Sequence, residues 1–214
     1  MNKILSTLIS LLIFSCILYA QDESFKPITD SNKTQVDLSK LTENTKSIQS
    51  KFIQEKHLSF LTENIISKGE FYFQSPNKLR WEYSSPFNYI IVFNDKNILI
   101  KDENKLSSFD TESNKMFNEI NNMMIGSIQG SLFTDNERFN VKYLENSTQY
   151  LLELDPKLQE MKSMIKLIKI YIDKSDISVS KIKMIESSDD YTSIKFINRK
   201  MNQPIDNEKF NLSK

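Results

Sequence analysis

Cysteine and histidine are almost missing from this chain, whose 214 residues include one of each, Cys16 and His57. This scarcity excludes zinc sites built from Cys and His, nucleophile triads that need a histidine, and disulfides as a source of stability. No charge of one sign predominates, because 28 Lys and Arg balance 28 Asp and Glu. Without a basic field to hold phosphate backbones, we expect no nucleic-acid partner, and we expect no metal or other cofactor.

Long apolar runs are also missing beyond residue 20, since even residues 161–172 are punctuated by lysines. A membrane-spanning helix needs about 18 to 20 apolar residues in succession, so we expect a soluble mature protein. The composition, with 39% apolar, 26% charged and 11% aromatic residues, is typical of one globular domain with a substantial core. We place this domain at residues 35–214.

The N-terminus is typical of a secretory signal peptide over residues 1–20. Lys3 precedes an apolar stretch from Ile4, and Ala20 stands before the polar Gln21. The alternative is a lipoprotein signal in which Cys16 is the acylated residue. Residues 21–34 are polar and lack periodicity, which predicts a flexible lead-in.

The periodicity of the apolar residues then predicts a helix followed by strands. Helical spacing relates Val36, Leu38, Leu41, Thr45 and Ile48. Alternation with a period of two follows in the segments around 52–54, 71–73, 79–83, 89–93, 98–100, 141–143, 150–154, 165–172, 177–184 and 192–196.

Residues 114–133 interrupt the alternation and predict two short helices, with Gly126 and Gly130 interrupting or ending helical turns. The order of helix, strands, helices and strands has no βαβ rhythm. It therefore predicts a mainly β (α+β) fold, a strongly curved antiparallel sheet with a few helices on one side. Its concavity must be filled by side chains, by the helices or by a ligand. Tyr72, Ile90, Val92 and Leu99 make the second face of the first strands partly apolar as well.

Several motifs resemble the periplasmic outer-membrane lipoprotein carriers of the LolA type. They are Ser50-x-Phe52-x-Gln54, Gly69-x-Phe71, Pro76-x-x-Leu79-Arg80-Trp81-Glu82-Tyr83-x-x-Pro86, Ile91-Val92-Phe93-Asn94-Asp95, Leu152-x-Leu154-x-Pro156 and Thr192-x-Ile194-x-Phe196-x-Asn198. The block around Trp81 is the most specific, and the likeness runs from about residue 35 to the C-terminus.

The resemblance implies a half-open barrel of about eleven antiparallel strands closed by a helical lid. It implies a monomeric, non-enzymatic periplasmic carrier whose partners are acylated lipoproteins, an ATP-driven extractor in the inner membrane and an acceptor at the outer membrane. Many members latch the lid with an arginine directly before the proline that ends the Gly69 strand. That position is Ser75 here, so this latch is absent.

Within this resemblance, broad aromatic side chains are suited to the walls of an acyl-chain trough and flexible methionines to a lid that repacks. The candidate lipid-binding residues are Phe71, Phe73, Leu79, Trp81, Tyr83, Ile91, Phe93, Met116, Ile120, Met123, Met124 and Leu132.

Three other interpretations stay open at this point. Aromatic and aliphatic stripes at strand spacing are also typical of a filled core. The same fold would serve a lipid or lipoprotein sensor, or a carrier of one special lipid. A carboxylate-dependent envelope hydrolase would need an acid/base pair among Glu55, Glu70, Glu82, Asp189 and Asp190. However, Asp189 and Asp190 are typical of a turn, and the glutamates alternate outward.

Overall fold

A computed structural model describes residues 24–30, 34, 36, 38, 44–94, 97–103, 105–110, 125, 126, 128, 130 and 135–212. Within these ranges no helix has the length and apolar character needed to cross a membrane.

One antiparallel sheet of twelve strands makes up most of the described chain. The strands are β1 (Lys26–Pro27), β2 (Ser47–His57), β3 (Ile65–Gln74), β4 (Lys78–Ser85), β5 (Tyr89–Asn94), β6 (Asn97–Asp102), β7 (Lys105–Asp110), β8 (Phe139–Glu145), β9 (Gln149–Pro156), β10 (Ile165–Asp173), β11 (Ser178–Glu186) and β12 (Tyr191–Met201). A short helix α1 (Gln159–Lys162) and a 3-10 helix η1 (Asn207–Phe210) complete the elements with described bounds.

The sheet is open and consists of two meanders. Its order is β1-β8-β9-β10-β11-β12-β2-β3-β4-β5-β6-β7, so β1 and β7 are the two edges. The meanders β2–β7 and β8–β12 meet at one place, where β12 pairs with β2 and Phe196 lies opposite Phe52. The predicted antiparallel, mainly β architecture is confirmed, with twelve strands instead of about eleven. The strand β1 lies within the segment interpreted as a lead-in, and it pairs with β8.

The first predicted helix is wrong at its C-terminal end. Thr34, Val36 and Leu38 are helical, but Thr45 is not, and Ile48 belongs to β2. In the sheet Ile48 pairs with Phe73 on one side and with Met201 on the other. An apolar residue every three or four positions matches both a helix and the junction of a helix with a strand, so the spacing alone did not separate them.

The interrupting segment contains helical residues where the structure describes it. Ile125, Gly126 and Ile128 are helical, and the residue that directly follows Gly126 lies outside the described residues. Gly130 lies in a turn with φ 77°, as predicted for one of the two glycines. The predicted lipid-binding residues Met116, Ile120, Met123, Met124 and Leu132 lie outside the described residues, and the helical lid stays a prediction.

Two apolar clusters lie on one face of the sheet, which we call the inner face. The first consists of Leu38, Phe139, Tyr143, Leu152, Leu154, Ile168, Ile170 and Ile172. The second consists of Phe52, Phe71, Phe73, Leu79, Trp81, Phe93, Ile98, Ile125 and Phe196. Val179 and Ile182 of β11 pack against both clusters and therefore connect them.

The C-terminal segment covers part of the opposite, outer face. η1 packs on β4 and β5, and its Phe210 is fully buried, as is Val92 of β5. Arg80 Nη1 donates a hydrogen bond to the Lys209 carbonyl at 3.0 Å, and Asn94 Nδ2 donates to the Phe210 carbonyl at 3.4 Å. The predicted apolar character of the outer face at Val92 is thus explained by this covering segment.

A buried tyrosine in the first cluster makes the stability sensitive to alkali. Burial raises the pKa of Tyr143 to about 12, from 10.0. Because the folded state binds this proton more tightly, the stabilisation is complete below the unfolded pKa and is lost as the pH rises through the interval from 10 to 12.

We expect the free energy of unfolding to fall across this interval by up to about 1.4 kcal/mol for each pH unit and titrating group. Urea unfolding of the wild type and of Tyr143→Phe at a series of alkaline pH values measures this loss. The variant should show a smaller slope, with a residual loss from Tyr72, whose pKa burial and Glu70 also raise to about 12. Equal slopes in the two proteins would contradict the assignment to Tyr143.

Candidate functional site

A cavity lies on the inner face between the two clusters, where β11 and β12 meet β2 and β3. Its volume is about 50 Å³. The wall is mainly apolar, and its apolar members are Ile48, Phe71, Ile128, Ile172, Ile177, Val179, Ile182, Phe196 and Met201. Pockets that hold drug-sized ligands have volumes of roughly 300 to 1,000 Å³, so a ligand must displace side chains to enter here.

The aromatic wall beside the cavity is built around the only tryptophan of the chain. The ring of Trp81 lies with its centroid 4.8 Å from that of Phe52, 5.3 Å from that of Phe71 and 6.0 Å from that of Phe196. Phe71 and Phe196 both line the cavity, so a molecule that enters touches the rings against which Trp81 packs. Trp81 is therefore an intrinsic fluorescent reporter of occupancy.

The polar members of the wall are few, and one of them is charged. They are Thr45, Ser50, Ser178 and Arg199. The guanidinium of Arg199 donates from Nη2 to carboxylate oxygens of Asp173 and Asp176, and from Nη1 to the Phe196 carbonyl at 3.3 Å. Burial raises the pKa of Asp173, but hydrogen bonds from Gln149 and Arg199 outweigh that effect and hold it below the ordinary value. The Asp173 carboxylate is thus stabilised in its charged form beside the guanidinium of Arg199.

The predicted site residues occupy different positions relative to this cavity. Phe71 is on its wall, whereas Phe73, Leu79, Trp81 and Phe93 are buried in the second cluster. Tyr83 and Ile91 are partly buried and pack against that cluster.

Several residues of the cavity wall were not predicted as members of the site. Val179, Ile182 and Phe196 stood in predicted strands, but nothing in the alternation singled them out. Ser50 appeared only within the motif Ser50-x-Phe52-x-Gln54. Arg199 belonged to no motif or pattern that pointed to a binding site.

The acidic residues considered for hydrolysis do not converge on the cavity. Glu70 and Glu82 are directly opposite each other on β3 and β4, beside Tyr72 and Arg80. Tyr72 donates to Glu70 at 2.6 Å and Arg80 Nε donates to Glu82 at 2.8 Å. They are thus held by neighbours on the outer face.

The remaining acidic residues and the single histidine lie at one end of the sheet. Glu55 accepts hydrogen bonds from Asn64 at 2.6 Å and from Tyr191 at 2.8 Å. The predicted turn at Asp189 is confirmed by its φ of 68°. His57 stacks on Tyr191 with ring centroids 5.0 Å apart.

The structure therefore combines an open antiparallel sheet, an apolar inner face and a small, mainly apolar cavity on that face. Comparison with known protein families identifies the family to which the chain belongs. Residues 43–213 match the family model of the outer membrane lipoprotein carrier protein LolA. The chain belongs to the LolA family, whose members are carrier and binding proteins. No curated protein matches the sequence.

Solved structures share the fold at low sequence identity. An uncharacterised conserved protein from Thermus thermophilus is 10% identical, with a TM-score of 0.53 over 86% of this chain and 96% of that one. MucB of Pseudomonas aeruginosa, in a complex with MucA, is 11% identical, with a TM-score of 0.50 over 86% of this chain and 61% of the other. A LolA superfamily protein from Nitrosomonas europaea is 8% identical, with a TM-score of 0.44 over 86% and 99%. At these identities the likeness shows the fold alone.

Proposed function

We propose that this protein is a periplasmic carrier that binds the acyl chains of lipoproteins on its inner face and moves them from the inner to the outer membrane. The observation that carries the proposal is the apolar cavity between the two clusters, in a chain of the LolA family. The partners proposed with it are acylated lipoproteins, an ATP-driven extractor in the inner membrane and an acceptor at the outer membrane. Residues 1–20 are the proposed signal peptide, and the carrier acts as a monomer without catalysis.

The energetics of acyl chains support an inner face of this kind. Each CH₂ of a lipid anchor gains about 0.8 kcal/mol when it leaves water, so a carrier must offer a large apolar surface to compete with a membrane. The two clusters line one side of the sheet with apolar side chains, but these side chains are buried, so an acyl chain reaches them only when they repack. Among the described residues, the cavity of about 50 Å³ is a place on this face that side chains leave unfilled. Entry of a chain then requires repacking around it.

The test is expression of the full-length gene with export to the periplasm, followed by native mass spectrometry of the purified protein. We expect an acylated protein or lipid to copurify at a stoichiometry near one to one. Trp81 fluorescence during titration with acyl-chain probes provides an independent measurement. If no ligand copurifies and no probe changes the Trp81 signal, the proposal fails.

A second candidate is a sensor that binds lipid or lipoprotein and reports to a protein partner. It is favoured by the likeness in fold to MucB, whose structure was solved with MucA. Depletion of the protein from cells distinguishes the carrier from the sensor. Lipoproteins retained in the inner membrane would support the carrier, and altered gene expression with normal lipoprotein sorting would support the sensor.

A further inference from the structure

A β-bulge in β12 turns an arginine toward the cavity. Ile197 pairs with Lys51 and Lys200 pairs with Gln49, so Asn198 and Arg199 together lie opposite the single residue Ser50. Asn198 has a φ of 55°, the left-handed conformation that this bulge uses. An inserted residue of this kind re-aims the side chains that follow it.

The bulge reverses the alternation along the strand. Before it, Phe196 lines the cavity, and strict alternation would next place Asn198 on the inner face. Instead Asn198 is exposed, and Arg199 and Met201 line the cavity. The fold therefore places a guanidinium on an otherwise apolar wall.

Two polar atoms at this place lack hydrogen-bond partners among the residues that the structure describes. They are Ser50 Oγ and Arg199 Nε, and both are buried from solvent. Ser50 as a whole is only 7% exposed. An unsatisfied buried donor is costly, so each of these two groups requires an explanation such as a partner supplied by a ligand or an ordered water. Ser50 and Arg199 lie opposite each other at the bulge and both line the cavity, so a molecule in the cavity lies beside both residues.

The charges around the guanidinium indicate which acceptor fits. Asp173 and Asp176 already compensate the positive charge of Arg199 and add one negative charge in excess. A ligand carboxylate would be repelled by these two aspartates. A neutral carbonyl oxygen accepts two hydrogen bonds without that repulsion.

Building on the proposed function, we propose that this part of the cavity binds the carbonyl oxygen of an ester- or amide-linked acyl group, with Ser50 Oγ and Arg199 Nε as the donors. The apolar wall would then hold the hydrocarbon chain. The site thus selects acyl groups in bound form over free fatty acids.

Three probes with the same chain length test this selection: methyl dodecanoate, dodecyl methyl ether and dodecanoate at mildly alkaline pH. Binding is measured by Trp81 fluorescence with the full mature protein. We expect the ester to bind about tenfold more tightly than the carboxylate and about fivefold more tightly than the ether. Carboxylate or ether binding as tight as ester binding would overturn this inference while leaving acyl-chain binding intact. Absence of binding by all three would instead count against the proposed function.

Two substitutions test the donors. Ser50→Ala and Arg199→Lys should each weaken ester binding about fivefold, in line with the loss of one hydrogen bond, and leave ether binding unchanged. Lysine retains the positive charge beside Asp173 and removes Nε. Because Ser50 Oγ has no partner to lose, Ser50→Ala should not lower the unfolding midpoint. Ser67→Ala is the matched control, since Ser67 is a buried serine on β3 that does not line the cavity. Wild-type ester affinity in both test variants would overturn the inference.

Discussion

Replacement of Gly69 by alanine is expected to lower the free energy of unfolding by about 3 kcal/mol, the upper end of the usual cost of an added group in a packed site. Gly69 lies in β3 between Phe52 of β2 and Tyr83 of β4. A Cβ atom here would lie 1.9 Å from the Glu82 carbonyl oxygen and 2.7 Å from two atoms of the Phe52 ring. The carbonyl belongs to the backbone of β4, so the added methyl group forces a shift of the sheet and not merely of a flexible side chain.

Urea unfolding followed by circular dichroism measures this effect, with Lys68→Ala as the control. Lys68 is the preceding residue in the same strand, and its side chain is exposed. Its substitution should change the free energy of unfolding by less than about 0.5 kcal/mol. A loss in Gly69→Ala no greater than that in the control would mean that β3 and β4 can separate at little cost, contrary to the described packing.

The second large effect is expected on binding. Val179→Phe places a ring where the cavity of about 50 Å³ now lies, since Val179 is on its wall and packs against both clusters. We expect the affinity for acyl-chain probes to fall at least tenfold, while the thermal midpoint stays near the wild-type value because filling a cavity adds contacts.

The control for this variant is Lys181→Phe. Lys181 lies on the same strand, and its Nζ is 5.2 Å from the centroid of the Tyr171 ring instead of on the cavity wall. Lys181→Phe should retain full affinity. Unchanged binding by a folded Val179→Phe would place the acyl-chain site elsewhere on the inner face.

The sequence predicted the strands better than their long-range partners. Alternation was visible at Phe71, Trp81 and Ile170 because each strand has one apolar face, and this signal is local. The pairing of β12 with β2 joins residues such as Phe196 and Phe52 that are far apart in the chain, and periodicity carries no information about such contacts. The strand β1 was missed because two residues are too short to show alternation.

The candidate site was predictable only in part, and the bulge shows why. Aromatic residues near the cavity, such as Phe71, follow from strand alternation. The same rule would place Arg199 on the outer face. It fails there because the residue inserted opposite Ser50 reverses the alternation, and no residue type in the sequence marks the insertion. The polar members of the cavity wall can therefore be identified only from the pairing of β12 with β2.

The single junction between the meanders has a mechanical consequence. Ile48 and Phe71 lie in the meander β2–β7, and Ile172 and Val179 lie in the meander β8–β12. The cavity therefore lies across the junction between the two meanders. The width of the cavity therefore depends on how the two meanders are positioned at their junction. The bulge interrupts the β12–β2 ladder beside the cavity, so the pairing that joins the two meanders is locally weakened at the place where both of them line it.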